Sequence, residues 1–166
     1  MTAIFNTSAV MGVLLLAGVS AATAADDTIL TVDITDEAGA VVGSHSFSLA
    51  ELREMQTATF GTETIWTEGM QTFTGVPLSS LVAQFAVTGP VIEAVAINAY
   101  SVQIPTSDAV ADGPMIAFER NGAAMSVRNK GPLWVVYPYD SNPDYQTEVV
   151  YSRSIWQLEK LIVSAE

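Results

Sequence analysis

The chain of 166 residues contains no cysteine, one histidine and only six basic side chains against 18 acidic ones. The first absence removes disulfides, thiolate-ligated metals and a cysteine nucleophile from consideration. The single His45 cannot alone build the usual zinc or non-haem iron ligand set. A formal net charge of −12 and a pI near 4.1 argue against a nucleic-acid or anionic-membrane partner, which an acidic surface repels unless a local basic patch overrides it. Apolar runs of membrane-spanning length are also lacking. The one strong run, Val10 to Val19, is shorter than the roughly 20 residues a bilayer requires.

That run leads into Ala22-Thr23-Ala24, a small-residue site of the kind signal peptidase cuts. Residues 1–24 are therefore expected to be an export signal and residues 25–166 the exported domain, in the periplasm. The segment ahead of the run carries no Lys or Arg, which leaves an uncleaved anchor as the alternative. Residues 1–24 carry no charged side chain, so the whole acidic excess belongs to the domain.

The remainder is of single-domain size and alternates strand patterns with two short helices. Residues 28–34 and 40–47 read as a hairpin around the turn Asp36-Glu37-Ala38-Gly39. Ser48-Leu49-Ala50-Glu51 is a capping box and predicts a helix ending near Met55. Pro77 before Leu78, Leu81, Val82 and Phe85 predicts a second, stopped by Gly89-Pro90. Strand-like runs follow at 91–98, 100–104, 115–119, 134–137 and 155–163. Helices early and strands late imply an α+β domain with a mixed β-sheet and a few short helices.

Four of the six basic residues, Arg120, Arg128, Lys130 and Arg153, lie in the C-terminal half among turn dipeptides. They read either as the lining of a pocket for a small electron-rich ligand or as surface residues paired with the abundant carboxylates. Trp66, Trp134 and Trp156 with five tyrosines offer flat surfaces on which a heterocycle could stack. Trp134 and Trp156 also read as core or sheet-face residues. His45 has no acid placed beside it by a motif, and Asp140-Ser141-Asn142-Pro143-Asp144 reads as an exposed turn rather than a calcium loop. Glu51, Glu54, Glu63 and Glu68 read as solvated charges.

Residues 73–81 (with Gly75-Val76-Pro77-Leu78), 96–105, Asn121-Gly122 with 128–134, and 154–161 together resemble the ordered landmarks of the sulfite-oxidase-like molybdopterin-binding domain. More narrowly, they resemble its small, exported, single-domain branch. In catalytic members a cysteine thiolate holds molybdenum, in the stretch that here runs from Thr59 to Glu68 and contains no sulfur. Neither a hydroxyl nor an indole replaces that soft ligand. A cofactor-facing lysine of the family falls at Trp156 in Ser154-Ile155-Trp156-Gln157-Leu158. The resemblance thus implies a protein without metal or catalytic residues that binds a reduced pterin. It further implies that occupancy is relayed to the periplasmic domain of a membrane protein, such as a cyclic-di-GMP enzyme. Trp66 and Trp156 would stack on the ring, and Arg128, Asn129, Lys130 and Arg153 would hydrogen-bond it. The alternative is a molybdopterin-dependent oxidoreductase or a subunit of one.

Overall fold

A computed structural model describes residues 27–165; the expected export signal lies outside them. Ten strands form two five-stranded sheets. In the first, β1 (Thr28–Thr35) and β2 (Val41–Ser48) make the hairpin expected from the sequence, with Asp36 Oδ1 accepting from Ala38 N and Ala40 N, both at 2.9 Å. β10 (Leu158–Ser164) runs parallel to β1 and antiparallel to β5 (Val91–Ala96), and β6 (Ser101–Pro105) closes the order β2-β1-β10-β5-β6. The sheet is therefore mixed, and Leu158, Leu161 and Val163 of its central strand are buried in alternation with more exposed neighbours.

The second sheet has the order β3-β4-β7-β8, with β9 also pairing to β7. Its strands are β3 (Ala58–Thr62), β4 (Gln71–Pro77), β7 (Met115–Arg120), β8 (Ala123–Ala124) and β9 (Trp134–Val136). The domain is α+β with a few short helices, as expected, and its strands divide between two sheets; residues 58–62 and 71–77, not picked out as strands in the sequence, belong to the second. β4 pairs with β7, whose Met115, Ile116, Ala117 and Phe118 are all buried, and β3 pairs in turn with β4. Gly75 marks a register shift in that pairing, and a Cβ there would run into the backbone of Ile116 and Ala117.

Three short helices join the sheets. α1 (Leu49–Glu54) starts at the expected capping box: Glu51 N donates to Ser48 Oγ at 3.3 Å and Ser48 N donates to Glu51 Oε2 at 2.7 Å. α2 (Leu78–Gln84) has Pro77 as its N-cap and ends well before Gly89-Pro90, because Ala86 already turns left-handed at φ 46°. α3 (Glu148–Arg153) has no counterpart in the sequence reading. It is six residues long, too short to show an apolar period, and is opened by Thr147, whose hydroxyl accepts from Val150 N at 3.3 Å. One apolar cluster draws Leu30, Leu161 and Ile92 from the first sheet, Phe73, Ile116 and Trp134 from the second, and Leu52 and Leu81 from the helices.

One polar cluster, buried only at Asp33, ties the first sheet. Asp33 on β1 accepts from Ser44 Oγ of β2 at 2.7 Å and pairs with Lys160 Nζ of β10 at 3.0 Å. The Ser44 hydrogen bond, opposed by burial and aided by Lys160, holds the Asp33 carboxyl below its ordinary value of 3.8. A carboxyl depressed in the folded state stabilises it above the unfolded value, and that stabilisation fades as pH falls through the folded one. Ser44→Ala should therefore cost about 1–2 kcal/mol at neutral pH, a deficit that shrinks once pH drops below 3.8. Urea unfolding at both pH values reads this directly, and an equal deficit at both would remove Asp33 as its cause.

Candidate functional site

Trp66 sits at the centre of an aromatic cluster. Its ring lies 5.9 Å from Trp134, 5.8 Å from Trp156, 5.8 Å from Tyr151 and 6.2 Å from Tyr139 between centroids, all edge-to-face. Such T-shaped packing sets the positive edge of one ring on the negative face of another and fixes ring orientation. Trp134 is fully buried behind this layer, with Phe73 at 5.4 Å on its other contact. Its indole N–H has no hydrogen-bond partner among the described residues, and its close neighbours are rings rather than acceptors.

The backbone around Trp156 is sewn in place on both sides. Val135 N donates to Ile155 O at 2.9 Å, Gln157 N to Lys130 O at 3.1 Å, Leu158 N to Leu133 O at 3.0 Å and Ile97 N to Gln157 O at 3.0 Å. Gln157 adopts a left-handed conformation at φ 55°, so the expected strand over 155–163 begins only at Leu158. Ile155 and Trp156 form instead a separate bridge segment, paired through Trp156 with Trp134. Lys130 is left-handed as well, at φ 71°, and the following Gly131 approaches the Met125 backbone where no Cβ would fit. Two non-glycine residues in that region, on either side of one aromatic, are a local strain of the kind that gathers at binding sites.

The loop carrying Trp66 is pinned from the opposite side. Asp140 accepts from Glu63 N at 2.6 Å and from Thr62 Oγ1 at 3.0 Å, so the Asp140–Asp144 turn serves as an anchor for this loop. Beneath it, Tyr139 OH and Ser154 Oγ share a 2.5 Å hydrogen bond, and burial pushes the Tyr139 phenol up to about 12.

These elements enclose a cleft of about 560 Å³ whose walls include Trp66, Trp156, Tyr151 and Tyr100 as rings, with Asn98, Ser152, Gln157 and Glu148 as polar groups. Its size and its mix of apolar surface with a few polar groups suit a small heterocycle. Trp156 is 37% exposed there despite its neighbours, as an unfilled stacking surface would be.

Of the six residues singled out in the sequence, Trp66 and Trp156 line the cleft. Lys130 lies on Trp156, with Nζ 3.8 Å from the ring centroid and 5.5 Å from that of Trp134. It is absent from the cleft wall and lies over the Trp156 ring. Desolvation, with Arg120 nearby, lowers the Lys130 pKa. Arg153 is turned away into an ion pair with Asp108 at 2.7 Å, where the same carboxylate oxygen also accepts from Tyr137 OH at 2.8 Å. Burial, then Asp108, raises the Tyr137 phenol far above its usual value. Arg128 and Asn129 are exposed in the 3-10 turn Val127–Asn129, outside the cleft wall. His45, on β2, rests against Phe85 at 5.0 Å and is not part of the cleft wall. Tyr100, Tyr151 and Glu148 went unread as cleft residues; the Thr147 cap ahead of Glu148 was the available signal for α3.

Comparison with known proteins bears on this cleft. A family model described as the oxidoreductase molybdopterin binding domain matches residues 24–140. The crystal structure of the sulfane dehydrogenase SoxCD from Paracoccus pantotrophus is similar in fold, with a TM-score of 0.59 at 19% identity over 86% of this chain. This chain spans only 40% of that one. No match is found among curated proteins. Glu148, Tyr151 and Trp156 all follow the segment matched by the family model.

The residues present fit the two parts of a molybdenum–pterin cofactor differently. A thiolate-held molybdenum does not fit: the chain contains no cysteine, and among the described residues no cluster of three His, Asp or Glu is placed to hold a metal ion. A pterin ring does fit, because the cleft offers an exposed indole face and polar groups at its edge.

Proposed function

We propose that this chain, which belongs to the oxidoreductase molybdopterin binding domain family, is a non-catalytic receptor for a free reduced pterin. The single observation behind this reading is the half-open indole of Trp156 in a ring-walled cleft, in a chain without the thiolate that molybdenum needs. The ring stacks on the face of Trp156 opposite Lys130, bordered by Trp66 and Tyr151. Lys130 stays on the far face and holds the indole at a fixed angle.

The apolar run and small-residue site in residues 1–24 support export to the periplasm. Ile65, Tyr100, Ile97 and Val149 are exposed on or beside the segments that form the cleft walls. Exposed apolar residues grouped around a ligand mouth suit a protein partner that reads occupancy. The periplasmic domain of a membrane signalling protein, such as one controlling cyclic di-GMP, is the proposed reader. A ligand shifts that association only if the partner prefers the filled cleft, and the same coupling then tightens pterin binding.

The family match favours a second reading, a subunit that binds molybdopterin for an oxidoreductase. Metal analysis of the purified protein, combined with pterin titration, separates the two. Pterin binding with molybdenum far below one per chain supports the receptor; molybdenum near one per chain supports the subunit.

A further inference from the structure

The cleft contains one charged side chain, and it is an acid. Glu148 lies in the wall opposite no lysine or arginine: the cleft residues are otherwise neutral. It takes part in none of the three ion pairs among the described residues, which join Arg53 to Glu119, Arg153 to Asp108 and Lys160 to Asp33. Its position is nevertheless firm. Thr147 caps the start of α3 just before it, and Arg153 at the other end of that helix is clamped to Asp108. A carboxylate carried on a capped helix in the wall of a ring-lined cleft, without a cation in that wall, offers two acceptor oxygens and no donor.

We propose that Glu148 is the recognition residue of the cleft, accepting two adjacent N–H donors from the edge of a 2-amino-4-oxo heterocycle stacked on Trp156. The inference rests on the receptor reading above and names the part of the ligand that is read. In such a ring the 2-amino group and the neighbouring ring N–H point the same way, which matches the two oxygens of one carboxylate. The ring's 4-oxo group then falls to a neutral donor of the wall such as the Asn98 amide. Glu148 therefore decides which heterocycles enter, while Trp156 supplies affinity that any flat ring shares. Basic residues play no direct part in this edge recognition, since none borders the cleft.

Two probes with the same reduced bicyclic skeleton test the proposal: dihydropterin, which carries the 2-amino group, and dihydrolumazine, which has a carbonyl in its place. Calorimetry is run on the purified full chain and on Glu148→Gln at a mildly acidic pH where both rings are neutral. The intact protein should prefer dihydropterin by about 10- to 100-fold, the range for hydrogen bonds to a charged group. Glu148→Gln should lose most of that preference, because its amide presents a donor to the amino group while accommodating the dihydrolumazine carbonyl. Equal binding of both probes by the intact protein, or an unchanged preference in Glu148→Gln, overturns the role of Glu148 and leaves the stacking cleft standing. Failure of both probes to bind overturns the receptor reading together with it.

Discussion

Trp156→Ala should weaken pterin binding by about 1–3 kcal/mol, the worth of one ring stacked on one base-like heterocycle, and leave the fold in place. The asymmetry follows from where the side chain sits. Its backbone is fixed by hydrogen bonds from Val135 and Leu158 to the residues around it, none of which needs the indole. Trp156 is 37% exposed, so truncation removes a stacking face, the cation–π contact with Lys130 and the edge-to-face contacts with Trp66 and Trp134 rather than opening a sealed cavity. Calorimetric affinity and thermal unfolding, measured on the same variant, separate these effects. Unchanged affinity with an unchanged melting temperature would take Trp156 out of the site.

The opposite pattern is expected one layer deeper. Trp134 is fully buried between Phe73, Trp66 and Trp156, in the short strand β9 that pairs with β7. Trp134→Ala leaves a cavity beneath the cleft and should cost about 3–5 kcal/mol of stability, the usual range for deleting a buried aromatic. That is a large fraction of what holds a domain of this size together. The indole packs edge-to-face against three rings, and the loss of that packing is the source of the cost. Trp134→Phe, which keeps an aromatic filler, should recover a good part of it. Chemical denaturation of the three proteins checks this, and a deficit in Trp134→Ala no larger than that of Trp156→Ala would contradict the layered arrangement.

The difference between these two tryptophans was not legible in the sequence, where both alternate with aliphatic residues and both read as core or sheet-face positions. It arises from Gln157, whose left-handed turn lifts Trp156 out of the strand register that begins at Leu158. Local signals with a stereochemical mechanism were readable: the Ser48–Glu51 capping box, the hairpin at Asp36–Gly39, and Pro77 ahead of α2. Features decided by distant partners were not. β4 is placed by pairing with the buried strand β7, and β3 in turn by pairing with β4. Arg153 looks like a ligand-binding residue in a list of basic side chains, yet a carboxylate 45 positions earlier holds it. Nothing in the sequence sets Glu148 apart from the other acids, and its place in the cleft wall emerges only when α3 is folded against the segments holding Asn98 and Trp156.

The missing cysteine carries the most weight in the functional reading, because it separates the ring-binding half of a molybdenum–pterin cofactor from the metal-binding half. Titration of the purified, metal-analysed protein with a reduced pterin, followed by calorimetry and tryptophan emission, tests that separation most directly. One pterin per chain, with a change in tryptophan emission and molybdenum far below one per chain, is the predicted result. No binding heat and no change in emission, or molybdenum present near one per chain, would contradict it.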